Sequence, residues 1–111
     1  MTAPNPDRIA RFQALVAQFP NSEVPRYSLG QAQMDAGRYD DAAATLIACT
    51  TLKPDFLMAW VLAAQALVRL ERWTDARPYA EQALALAIAQ GHSGPRGDAE
   101  ALLEEIAQAS E

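Results

Sequence analysis

His92, Cys49 and the acidic pair Asp40-Asp41 are the side chains best equipped for chemistry in this sequence, and each lacks the companion that chemistry needs. A histidine works as a base only with a nucleophile or an orienting acid in reach. His92, the single histidine, sits in the stretch GHSG with neither at motif spacing, and reads as an exposed loop residue. Cys49, the single cysteine, cannot close an internal disulfide, and no second cysteine or paired histidine lies near it to complete a metal site. It reads as a small buried apolar residue in a reducing compartment. Asp40 and Asp41 stand where a helix should begin, so capping and dipole complementation explain them better than acid–base work. The phosphate-gripping patterns GxGxxG and GxxxxGK[ST] do not occur. The expectation is a protein without catalysis, cofactor or metal.

Positioning any other activity requires a fold, and 111 residues with 50% hydrophobic side chains suffice for one domain, 1–111. The net charge of −5 arises from 14 acidic and 9 basic residues with no basic run, which speaks against nucleic acid as a partner. MTAPNPDRIARF interrupts with prolines and charges the apolar core that a signal peptide needs, so a cytoplasmic location is expected. The apolar run Met58–Val68 has only 11 residues, too few to span a bilayer, and no membrane partner is expected. Alanine dominates, β-branched residues are sparse, and glycine and proline fall at punctuation points, which predicts an all-α fold.

The chain also matches itself when displaced by 34 residues. Pro20 falls on Pro54, Gly30 on Ala64, Gln31 on Gln65, Arg38 on Arg72, Tyr39 on Trp73, Asp41 on Asp75 and Ala42 on Ala76. The same displacement maps Phe12 onto Leu46, so the segment before Pro20 behaves as the second half of an earlier unit.

Each unit reads as two helices joined by a tight turn. Asn21 or Ser22 caps a helix starting near Glu23, with Pro25 in its first turn and Gly37 at its end. Asp40 caps a second, which Pro54 forbids from continuing. Phe56–Leu70 forms a third; Thr74 caps a fourth, with Pro78 in its first turn and Gly91 as its stop. GHSGPRGD then reads as a flexible turn, and Asp98 caps a last amphipathic helix bearing Leu102, Leu103 and Ile106. Small residues at Gly30, Ala32, Ala42 and Ala43 let paired helices approach, and a bulky side chain at Gly30 would cost about 1–3 kcal/mol through overpacking. Tyr39 and Trp73 fill the gap between neighbouring pairs.

Leu29-Gly30, Gly37, Tyr39, Ala42 and Pro54, followed by Trp60, Ala64, Trp73, Ala76 and Ala83, resemble the tetratricopeptide repeat pattern. The resemblance covers two repeats, 23–56 and 57–90, preceded by a half-repeat helix at 7–19 and followed by a capping helix at 98–109. It implies a short right-handed superhelical array of about six helices in antiparallel pairs. Departures occur at Arg26, where the family favours Trp, at Ala63-Ala64 for Leu-Gly, and at Glu71 for the turn glycine.

The resemblance further implies a protein–protein interaction module whose concave groove is lined by the first helix of each pair. Val24, Tyr27, Ser28, Gln31, Met34 and Asp35 would face it from the first repeat, and Met58, Val61, Leu62, Gln65, Val68 and Arg69 from the second. Some family members grip a peptide's C-terminal carboxylate with a clamp of lysine, arginine and asparagine; Tyr27, Gln31, Met58, Leu62 and Gln65 occupy the matching positions here. A mostly apolar groove is expected, taking a hydrophobic or amphipathic segment of another protein. The alternative is a homodimer that buries the same surface, Val61 and Leu62 in particular. Either terminal helix could instead cover part of it.

Overall fold

Every turn between helices in the computed structural model, which describes residues 6–109, follows from a local stop signal in the sequence. The elements are α1 (Pro6–Gln18), α2 (Glu23–Asp35), α3 (Tyr39–Leu52), α4 (Leu57–Arg69), α5 (Trp73–Gln90) and α6 (Ser93–Ala109), with no strand among the described residues. Each helix packs on the next, and α4 reaches α2 while α6 reaches α4. The first helices of successive pairs thus lie side by side, with the second helices behind them.

Three helix ends share one hydrogen-bond pattern. The Arg38 N–H donates to the Gln33 carbonyl and the Gly37 N–H to Met34; Arg72 and Glu71 repeat this on Leu67 and Val68, and His92 and Gly91 on Ala87 and Ile88. This double closure places one residue in the left-handed region, where glycine lacks the Cβ penalty. Gly37 and Gly91 stand there at φ 74° and 73°, but the second turn forces Glu71 to φ 57°.

Helix starts differ from the capping expectation. Ser22 has the extended backbone of an N-cap but makes no side-chain cap bond. α3 and α5 begin at Tyr39 and Trp73, one residue before the expected caps Asp40 and Thr74, which lie inside their first turns. What holds these starts is an i,i+3 ion pair repeated at the same place in both units: Arg38 to Asp41 at 2.7 Å and Arg72 to Asp75 at 2.9 Å. Asp40 and Asp41 still oppose the positive end of the α3 dipole.

Pro78 lies at the sixth residue of α5, beyond the first turn, so it denies the Thr74 carbonyl its helical partner. Asp98 is not a cap, because α6 starts five residues earlier, at Ser93. Pro95 falls in that first turn and sacrifices no bond, and burial of Ala99, Leu102 and Ile106 offsets the weak helix propensity of Gly94 and Gly97.

The core is built largely from alanine. A Cβ added to Gly30 would lie 2.6 Å from both Cγ and Cδ2 of Leu46, which is fully buried. The close approach of α2 to α3 therefore depends on a missing methyl opposite a leucine, rather than on small residues facing one another. One repeat later the equivalent positions hold Ala64 and Ala80, both fully buried in the same cluster. Volume removed from one helix reappears on its partner.

Outside the core, two chemically different side chains make one bond. The Trp60 indole donates to the Pro54 carbonyl at 2.8 Å, and one repeat earlier Arg26 donates through Nη2 to the Pro20 carbonyl at 3.0 Å. Arg26 thus substitutes for the tryptophan that the repeat pattern favours, at the cost of a buried Nε without a partner.

Candidate functional site

Helices α2, α4 and α6 wall a cavity of about 640 Å³, closed at one corner by α1. Its lining follows the repeat displacement: Gln31 to Gln65 and Asp35 to Arg69 are each separated by 34, and Leu62 to Asp98, Gln65 to Ala101 and Arg69 to Glu105 by 36. The two additional residues fall between α4 and α6, and α6 occupies the place of a third unit's first helix.

The walls have distinct chemistry. From α2 come Gln31, Met34 and Asp35; from α4, Leu62, Gln65, Val68 and Arg69. The α6 wall presents Asp98, Ala101, Leu102 and Glu105, and Arg8 of α1 and Tyr39 of α3 complete the rim. Met34, Leu62, Val68 and Leu102 also belong to the main hydrophobic cluster, so the cavity floor is continuous with the core. Its mouth carries five charged side chains, which overturns the expectation of a mostly apolar groove.

Two of these five charges, Arg8 and Asp35, are bound to each other in a pair on the cavity. Arg8 Nη1 lies 2.9 Å from Asp35 Oδ2, tying α1 to the end of α2. Arg69, Asp98 and Glu105 make no ion pair among the described residues. At the other end of α2, Gln31 Nε2 donates to the Tyr27 hydroxyl at 3.4 Å, and the Tyr27 ring stacks on Phe56 at 4.7 Å. Burial pushes the Tyr27 phenol above its usual value, with a smaller contribution from Cys49.

Gln31, Met34, Leu62, Gln65, Val68 and Arg69 are brought together around the cavity, whereas Val24, Tyr27, Met58 and Val61 do not line it. Val24 is exposed elsewhere, and Met58 packs against the Leu57, Ala83 and Ala87 cluster. Val61 requires correction: it is fully enclosed with Ala83, Ala87 and Ala99, because α6 crosses α4 at that level. The α6 residues on the wall escaped sequence reading because the two-residue offset breaks the 34-residue register and GHSGPRGD resembles a loop.

The other groups suited to chemistry stay apart. Cys49 is wholly buried, with Sγ 3.6 Å from the Glu23 carbonyl. Burial, then the Glu23 charge, raise its thiol to about 11, with Arg26 pulling the other way. His92 is exposed at the α5–α6 turn. No helix is long and apolar enough to cross a membrane, and no group of three or more metal-ligating side chains occurs among the described residues.

A sequence profile described as tetratricopeptide repeat matches residues 27–95, more than half of the chain. No curated protein matches significantly. Solved structures with the same fold include the type III secretion translocator chaperone SycD of Yersinia enterocolitica, 19% identical, with a TM-score of 0.87 over 94% of this chain and 72% of that one. Another is the TPR2B domain of yeast Sti1 in a pHsp70 complex, 16% identical, with a TM-score of 0.83 over 93% and 82%. A protein from Bordetella parapertussis is 24% identical, with a TM-score of 0.74 over 90% and 87%.

Proposed function

We propose, from the premise that this chain belongs to the tetratricopeptide repeat family, that it binds a segment of another protein in the groove between α2, α4 and α6. Domains of this family generally mediate protein–protein interaction, and the structurally similar Sti1 domain was solved in a complex. The observation that carries the reading is the cavity itself. Its size suits a few side chains of a peptide, its floor is aliphatic, and Gln31 and Gln65 stand one helix apart with amides suited to a peptide backbone. An amphipathic segment fits this combination better than a uniformly hydrophobic one. The clamp positions carry Tyr27, Gln31, Met58, Leu62 and Gln65, so a terminal carboxylate is not the handle.

The self-association alternative drew on Val61 and Leu62, and Val61 is enclosed. Selection from a displayed peptide library, followed by titration of the enriched peptides against wild type and Gln31→Ala/Gln65→Ala, tests the groove. Binding that weakens in the variant while its circular dichroism is unchanged supports it. Failure to enrich any peptide, or equal binding to both proteins, removes it. An apparent mass that falls on dilution would restore the homodimer.

A further inference from the structure

We propose that the segment received by this groove is basic: an extended amphipathic stretch whose aliphatic side chain enters the floor and whose Lys or Arg faces α6. This rests on the groove being the binding face. The α6 wall presents Asp98 and Glu105 with the small Ala101 between them, leaving room for a long side chain to lie along the helix. Both carboxylates lack an ion-pair partner among the described residues, whereas Asp35 on the opposite wall is already held by Arg8. Arg69 is the single uncommitted cation on the lining, so carboxylates outnumber it there.

The surroundings add to the same field. Glu104 is exposed on α6, the helix's one cation, Arg96, is already paired with Glu100 at 3.5 Å, and the chain carries −5 overall. A cleft with one predominant sign raises the local concentration of opposite charge and disfavours like charge at close range. A carboxylate-clamp groove takes acidic ends; this lining reverses that preference.

The test uses two degenerate, fluorescein-labelled peptide libraries sharing one leucine-centred framework, with lysine or glutamate at the flanking positions. Fluorescence anisotropy against the full chain at low salt should show the lysine library binding about five- to tenfold tighter, the effect of two partly exposed ion pairs. The isosteric Asp98→Asn/Glu105→Gln variant should abolish the preference, as should raised salt. Equal binding of both libraries, or a lysine preference that survives the double variant, overturns the basic-segment inference while leaving the groove reading standing. Absence of binding by either library overturns both.

Discussion

Replacing Gly30 by alanine should destabilise the fold although alanine is the better helix former. In an unobstructed helix interior the change gains about 0.5–1 kcal/mol. Here the new methyl would sit 2.6 Å from Leu46 Cγ and Cδ2, roughly 1 Å inside carbon–carbon contact. Leu46 is fully buried and cannot swing into solvent. Overpacking of this kind costs about 1–3 kcal/mol, giving a net loss of about 1 kcal/mol. Leu46→Ala alone should cost about 2–5 kcal/mol through lost burial and a cavity. In that background the Gly30 methyl has space and its helical preference returns, so the double variant, which copies the Ala64 and Ala80 of the next repeat, should exceed Leu46→Ala in stability by about 1 kcal/mol. The resulting coupling is about 2 kcal/mol, well above the scatter expected of independent sites. Urea denaturation of all four proteins measures it, followed by far-ultraviolet circular dichroism and by fluorescence of Trp60 and Trp73 so that coincident transitions establish two-state behaviour. Additive losses would refute the idea that Gly30 and Leu46 form one packing unit.

Glu71→Gly should stabilise by about 0.5–1 kcal/mol, because it relieves the positive φ at the second turn and loses part of that gain to unfolded-state entropy; a lower denaturation midpoint would contradict this. Gln33 is 4% exposed with Oε1 unpartnered, and its counterpart Leu67 is 1% exposed, so Gln33→Leu should gain about 1 kcal/mol in the same assay. The Cys49 thiol is raised from 9.0 to about 11, so the unfolded chain releases this proton first and stability should fall as pH climbs from about 9 through 11. Cys49→Ala should lack that part of the slope, and an identical pH profile for both proteins would disprove the linkage. At neutral pH, thiol alkylation of native protein should track global unfolding rather than proceed directly.

The sequence by itself determined the helical class, the pairing and most helix ends, because these depend on local causes: the 34-residue period, Pro54 after α3, and the glycines that close α2 and α5. It also marked Gly30 as a close approach and Glu71 as a departure from the repeat pattern. It misplaced the starts of α3 and α5, where an arginine–aspartate pair replaces a side-chain cap. Only the tertiary structure decided what Gly30 faces, since the residue opposite belongs to another helix and the alanine-rich pattern offered several candidates. It also decided that α6 begins at Ser93 and walls the groove: burial of Ala99, Leu102 and Ile106 outweighs the local preference of two glycines for a loop. For the same reason Val61 and Leu62, adjacent in sequence and alike in character, part company. The position of α6 encloses one and leaves the other on the cavity wall, a distinction set by long-range packing that no local pattern carries.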